Sequence, residues 1–555
     1  MIFIMIDGLI AITYKDLWND YDIVEPLVLL KNIPTIGILD FIVERQNEVL
    51  FAFSDIEAHK KRLFEMRCYL DENAKHRFDS LISKHNAISL FCCESNNLMY
   101  KLVLQEANTL DRPLQSNDIL NIYKAYLYCT QKWSDIPLNN QDLADIDSLF
   151  LRVDLPIVEF KLYKDFRPQL LKAHHFFTFC EKDPLFKEFL QWFYKDKKIS
   201  NWQEYINRLF CLLTNSLESR WIILDNFHIK DKEFFNQYCI NIEDCSNLWN
   251  NDDHYYLRNH FLYNPTDGLY LLLNFNLMVD KFYQGMKFDF CESVLSRNGK
   301  DENGKTIKNI PNFNSLLGRK FSESVIFYDM MHKCFDGNFD IVISGSELKP
   351  YFENEGEPDF YIRKGKSAFI FEYKDLTLGN DVKYSSNTEL IKQEIIKRIC
   401  KGGTKQRKGA GQLLHCINSI INENRLSEVD KQASKIDIFF PIVITTDRAF
   451  SALGINKFII NEFANIANEY NLNSTHIAPV VIIDYDTLFI LSYRLHNQEL
   501  DLQKLLTEYT SLLLNSPGGI DFNISFYTYV YDKYRIDKIE KEEYQYLFGD
   551  LFDKF

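Results

Sequence analysis

The spacing of apolar positions changes along this chain, and each change marks an element. The opening run, MIFIMIDGLIAITYKD, is apolar but broken at Asp7, and with no basic leader or small-residue cleavage site it reads as a buried strand. IPTIGILDFIV and VLFAFSD continue as strand-like runs, after which the pattern turns mainly helical up to about residue 300. Between Leu170 and Leu217 apolar residues recur at spacings of three and four, as in PLFKEFLQWFYKD and YINRLFCLLTNSL, which predicts consecutive amphipathic helices. HFLYNPTDGLYLLLNFNLMVDKFYQG predicts a hairpin turning on Asp267-Gly268 and then a helix, its aromatics belonging to a core before any base-stacking platform.

The polar, glycine-containing stretch from Ser296 to Asn312 is the best break in the chain. Beyond it come a helix (RKFSESVIFYDMMHKCF), three short apolar runs (DIVISG, PDFYIRK, SAFIFEYKD), a basic stretch and a second helix. Two more apolar runs follow, IDIFFPIVITT and APVVIIDYDTLFIL. From Arg494 the chain holds one further helix, LDLQKLLTEYTSLLLN, and a tyrosine-rich end, YQYLFGDLFDKF. The expected class is therefore α/β: an accessory region over 1–300, mixed then mainly helical; a layered domain over 311–495 with a mixed sheet flanked by helices; and a helical tail over 496–555.

At 555 residues the chain exceeds what one core supports, in keeping with at least two domains. Its 45 phenylalanines and 31 tyrosines are well above average usage and point to aromatic cores. No run reaches the roughly 20 uninterrupted apolar residues of a membrane helix. A soluble cytoplasmic protein without a membrane partner is the expectation. Twelve cysteines lack a CxxC pair or zinc spacing, with Cys92 and Cys93 adjacent, and are expected as reduced core residues. The net charge of -15 excludes a protein that coats nucleic acid over its whole surface, so any contact with it must be a local basic patch.

Candidate chemistry concentrates in GEPDFYIRKGKSAFIFEYKD, residues 356 to 375. Pro358-Asp359 opens one strand, a turn around Lys364, Gly365 and Lys366 follows, and the next strand ends on Glu372-Tyr373-Lys374. Strand alternation puts Glu372 and Lys374 on one face and Tyr373 on the other, and antiparallel pairing brings Asp359 beside Glu372. Two carboxylates so placed repel unless a cation or a shared proton relieves them, and oxygen ligands filling part of a coordination sphere suit Mg²⁺ or Mn²⁺.

This arrangement resembles the PD-(D/E)XK nuclease superfamily over roughly residues 311 to 495, with Pro358-Asp359 as its first element and Glu372-Tyr373-Lys374 as its second. The resemblance implies a restriction-endonuclease-like core and metal binding by Asp359, Glu372 and the carbonyl of Tyr373. It also implies a catalytic role for Lys374, which would position or activate the attacking water in Mg²⁺-dependent DNA cleavage. GRKFSESVIFYDMM resembles the family's first helix, which often supplies a glutamate, here Glu323; Glu357 is a second acidic candidate. KGAGQLLHCIN resembles the helix that carries a glutamine near the active site, here Gln412. Nucleases of this type with long partner domains are frequent in restriction and anti-phage defence, so the first 300 residues are expected to sense or bind a protein partner or a second copy.

Between strand and glutamine helix lies LIKQEIIKRICKGGTKQRKGAG, whose Lys397, Arg398, Lys401, Lys405, Arg407 and Lys408 form the expected DNA-backbone patch. Its bland counterpart is a solvated helix face. His174-His175 and Asp252-Asp253-His254 read as packing and capping residues, and no phosphate-binding loop, serine elbow or dinucleotide fingerprint is present. The alternative to a nuclease is a catalytically inactive nucleic-acid-binding or scaffolding subunit on the same fold.

Overall fold

The computed structural model describes the chain except residues 1–4, 7–8, 19–24, 52–55, 86–87, 136–145, 160–163, 226–227, 244–254, 353–355, 402–407, 470–475, 516–522, 535–540 and 550–555. Two compact units emerge: one comprises Met1–Pro137 and Glu159–Ile307, the other Leu138–Val158 and Lys308–Phe555. The division passes through the polar stretch at 296–312. It departs from a simple halving because residues 138–158 group with the C-terminal unit, as does the tail after 495.

The first unit is mainly helical. IPTIGILDFIV, expected as strand, lies in the helix Thr35–Phe51, which also takes in the start of VLFAFSD. A contiguous apolar run is ambiguous by periodicity, and here Pro34 precedes a helix whose Ile38, Leu39, Ile42 and Val43 are buried at helical spacing. The opening apolar segment does form short strands, Met5–Ile6 and Leu9–Ala11, the latter also paired with Ile88–Ser89. The helices expected between Leu170 and Leu217 are Phe166–Lys182, Pro184–Lys197 and Trp202–Glu218, each begun by an Asp or Asn cap. They enclose an aromatic core in which Phe290 meets Phe176 edge-on at 5.0 Å, and Phe177 stacks on Trp202 at 5.7 Å. The expected hairpin is present as Leu262–Thr266 and Leu269–Leu272, with Gly268 at φ +80°. The eleven described cysteines are free. Among the described residues no helix is long and apolar enough to cross a membrane.

The second unit is an α/β layer built on a five-stranded mixed sheet. Its strands are β1 (Ile341–Ser344), β2 (Phe360–Lys364), β3 (Ser367–Lys374), β4 (Ile438–Thr445) and β5 (Val481–Asp484), in spatial order β5-β4-β3-β2-β1. β1, β2 and β3 pair antiparallel, whereas β3, β4 and β5 run parallel. β2 and β3 turn through the two residues Gly365-Lys366, with Gly365 at φ +59° where a Cβ would be strained. The buried Arg363 ties this end down through Asp430 at 2.6 Å and Asp340 at 2.9 Å.

Its helices include α1 (Ile146–Asp154), α2 (Ile310–Leu317), α3 (Tyr328–Phe335), α4 (Thr388–Ile395), α5 (Ala410–Glu423), α6 (Ile455–Glu469) and α7 (Tyr485–His496), and the tail adds Leu502–Leu514, Phe526–Tyr534 and Lys541–Phe548. A π-helical stretch, Gly318–Phe327, joins α2 to α3, and another, Ile396–Cys400, extends α4. The α2–α3 run covers one face of the sheet, where Phe327 stacks on Tyr373 at 4.7 Å; α5 packs on β3 and β4. The run APVVIIDYDTLFIL, one apolar stretch in the sequence, is β5 followed by α7. Asp484 ends the strand because its side chain accepts from the Thr487 N–H at 2.9 Å and caps the helix. α1 joins this unit through Arg152, which donates to the Ser386 carbonyl, and Asp154, which accepts from the Leu453 N–H at 2.8 Å.

Candidate active site

Asp359 immediately precedes β2, and Glu372 and Lys374 close β3. The pair Phe360↔Phe371 puts Asp359 opposite Glu372, as strand pairing predicts. An Asp359 carboxylate oxygen accepts from the Tyr373 N–H at 2.6 Å, which fixes the carboxylate at the open end of the hairpin. In extended backbone the N–H and C=O of one residue point to the same side, so the Tyr373 carbonyl is also directed toward Asp359, while that of Lys374 faces β4 and accepts from Thr446 at 3.3 Å. Tyr373 itself projects to the opposite face, onto Phe327.

Glu372 is only 1% exposed. One of its oxygens pairs with the Lys374 ammonium; the other, Oε2, is buried with no hydrogen-bond partner among the described residues. Burial, reinforced by Glu372 and then Glu323, drives Asp359 well above the ordinary carboxyl range, against the pull of Lys374 and the Tyr373 amide. Burial and Glu323 likewise raise Glu372, although Lys374 and the Gly409 amide favour its charge. For Lys374, burial disfavours the ammonium but Glu372 and Asp359 outweigh it, so the pKa rises.

Glu323 reaches this group from the π-helical stretch. The Tyr328 N–H donates to the Glu323 carbonyl, a span of five residues, and the Tyr328 hydroxyl donates to the Glu323 carboxylate at 2.6 Å. Burial, then Glu323, raises the phenol so that it stays a donor. The preceding residue, Ser322, donates to Asp375 at 2.5 Å, and Thr446 donates to the other oxygen of Asp375 at 2.9 Å. Sequence spacing does not reveal the Glu323–Tyr328 pair, because residues five apart do not share a face in an α-helix; the wider π turn aligns them.

Gln412 lies in the first turn of α5 and donates to the Glu357 carbonyl at 3.1 Å, bracing the backbone two residues before Asp359. Beside it, Cys416 donates to the Gly356 carbonyl at 3.1 Å, and its thiol is raised by burial and by Glu372 and Asp359. Glu357 contributes this carbonyl contact, and among the described residues no side-chain hydrogen bond draws it to the centre. Gly409 begins α5 at φ +57°, where a Cβ would lie 2.2 Å from the Ile399 carbonyl; this close approach sets its amide by Glu372.

The basic run is less available than its composition suggests. Lys397 and Arg398 both pair with Glu394, at 2.6 and 3.3 Å, and Arg398 also donates to the Thr377 carbonyl. Lys401 and Lys408 are exposed, and Lys405 and Arg407 lie outside the described residues, as do Asp252, Asp253 and His254. His174 packs against Trp202 at 5.6 Å and beside His175 at 5.9 Å.

Among the described residues no three or more His, Cys, Asp or Glu side chains form a ready metal cage. Asp359 and Glu372 make an incomplete oxygen-ligand set, as a cation keeping water and substrate ligands would use. No protein-family model matches this chain, and no curated protein or solved structure matches it either.

Proposed function

We propose that the C-terminal unit is a metal-dependent nuclease that hydrolyses phosphodiester bonds of DNA. The observation that carries the reading is the convergence of Asp359, Glu372 and Lys374, with two carboxylates held above their ordinary range by burial and mutual repulsion, which the single Lys374 ammonium does not cancel. The element order also fits: a helix, three antiparallel strands, a helix and a strand parallel to the third are what the PD-(D/E)XK resemblance implies.

The residues suit Mg²⁺ or Mn²⁺. Asp359, the unpartnered oxygen of Glu372 and the Tyr373 carbonyl would hold it, and charge neutralisation would relieve the two carboxylates. When bound, the ion would neutralise charge building on the phosphate and make water a better nucleophile. Lys374 stays an ammonium at neutral pH, so it does not take a proton; it donates hydrogen bonds that orient the attacking water and stabilise the phosphate oxygens. As the water oxygen bonds to phosphorus, the bond to the leaving oxygen breaks; the water's proton passes to solvent and the leaving oxygen takes one back. Tyr328 keeps Glu323 turned toward the site.

The test is cleavage of supercoiled plasmid and single-stranded DNA with Mg²⁺, Mn²⁺ or EDTA. Asp359→Ala should abolish cleavage, and Lys374→Ala should lower it about 10²- to 10⁴-fold. Metal-independent cleavage, or cleavage untouched by either change, would refute the proposal. A role in restriction or anti-phage defence, with the N-terminal unit as the sensing part, is the biological setting we propose for it.

A further inference from the structure

The face that carries Glu372 and Lys374 continues onto β4. In-register residues of adjacent strands project to the same side of a sheet, and β4 runs parallel to β3 with Val443 beside Glu372 and Thr445 beside Lys374. Thr445 is 0% exposed, and its hydroxyl has no hydrogen-bond partner among the described residues. Its neighbours are otherwise engaged. Thr446 donates to Asp375, and on the far side Asp484, in register with Thr445 across β5, accepts from Thr487 and Ser451. A buried hydroxyl left unpaired is costly, and interiors satisfy such groups with ordered water. Lys374 spends one of its ammonium protons on Glu372 and has donors to spare.

We infer that Thr445 is a positioning residue of the hydrolytic centre: an enclosed water bridges its hydroxyl to the Lys374 ammonium and so fixes the group that orients the water attacking the phosphodiester. Lys374 donates to that enclosed water, and Thr445 takes or gives the second hydrogen bond, which fixes where the remaining ammonium protons point. This rests on the nuclease reading. It assigns to Thr445 an effect on turnover, through orientation of a nucleophile, and none on substrate affinity.

The experiment compares the native protein with Thr445→Val, Thr445→Ser and Thr446→Val in Mg²⁺-dependent plasmid cleavage, alongside melting curves and a crystal structure of the native protein. Thr445→Val should lower kcat about 10- to 100-fold at unchanged KM and melting temperature, and Thr445→Ser should restore most of it. Thr446→Val should lower the melting temperature through Asp375, with no loss of kcat in the fraction that stays folded. The crystal structure should show a water within hydrogen-bonding distance of Thr445 Oγ1. Native kcat in Thr445→Val, or a Thr445 hydroxyl bonded to a protein atom instead of water, overturns the assignment and leaves the nuclease reading standing. A native protein that cleaves under no divalent metal overturns both.

Discussion

Replacing Asp359 with asparagine removes one negative charge from a crowded site and leaves its shape nearly unchanged, since the amide oxygen can still accept from the Tyr373 N–H. Directly opposed positions across an antiparallel pair have Cβ atoms about 5 Å apart. Two unit charges at that distance repel by about 3 kcal/mol at an effective dielectric of about 20. Lys374 returns part of this, while burial and Glu323 add to the penalty, and the balance leaves Asp359 well above its ordinary pKa. A carboxyl whose folded pKa exceeds its unfolded value of about 3.9 contributes stability that is complete below that value and lost as pH rises through the folded pKa. Above its unfolded pKa, Asp359 therefore destabilises the metal-free fold. Asp359→Asn should stabilise it by about 1 to 2 kcal/mol, raising the melting temperature by roughly 2 to 6 °C for a unit of this size. Scanning calorimetry in EDTA from pH 4 to 8 reads the effect, and the gap should close toward pH 4. Adding Mg²⁺ at about ten times its dissociation constant should stabilise the native chain by about 1.4 kcal/mol and leave the variant unmoved, with cleavage lost. If the variant melts below the native protein at pH 8 in EDTA, attraction by Lys374 exceeds burial and repulsion together, and the electrostatic case for a cation fails.

Two further outcomes follow from geometry alone. Gly409→Ala would put a methyl 2.2 Å from the Ile399 carbonyl at a positive φ, so melting should show a loss of about 1 to 3 kcal/mol or more; an unchanged melting curve would mean that α5 does not start as described. In the first unit, Asp289 is buried between Lys281 and Lys197, each at 2.7 Å. Asp289→Ala should lower stability in urea by about 3 to 5 kcal/mol, because the buried Lys281 ammonium and the part-buried Lys197 ammonium lose their partner. Burial opposes the charge of Asp289, but the two lysines hold its carboxyl below the ordinary value. Its stabilisation is thus present above the unfolded pKa and drains away as pH falls, so Asp289→Ala should also flatten the acid side of the stability profile.

How much of this could be read in advance differs from element to element. The hairpin of β2 and β3 was legible because two short apolar runs, a glycine turn and charged residues at the strand ends all agree, and antiparallel pairing located Asp359 opposite Glu372. The helix Thr35–Phe51 was not, since a dense run of Ile, Leu and Val fits either period until its neighbours decide. Charge counting over LIKQEIIKRICK overstated the basic patch. Glu394 lies three and four residues before Lys397 and Arg398, a spacing that pairs them on a helix, so the signal was present in the letters. Tyr328 and Thr445 escaped for different reasons: one needs a π turn to reach Glu323, and the other needs the register of a strand more than 60 residues further along the chain.

The segment holding α1 bears on how this protein can be cut apart. A gene shortened to begin at residue 308 would encode the sheet, the carboxylates and Lys374, yet would lose Asp154, on which the Leu453 N–H depends, and Arg152, which holds the Ser386 carbonyl. Silence from such a fragment would therefore report an unfinished fold and say nothing about a sensor. A faithful isolated domain has to be respliced, with residues 138–158 fused ahead of 308–555. During synthesis the same layout means that the first piece of the C-terminal unit leaves the ribosome before half of its neighbour, and the five-stranded sheet is complete only with its last strand, Val481–Asp484.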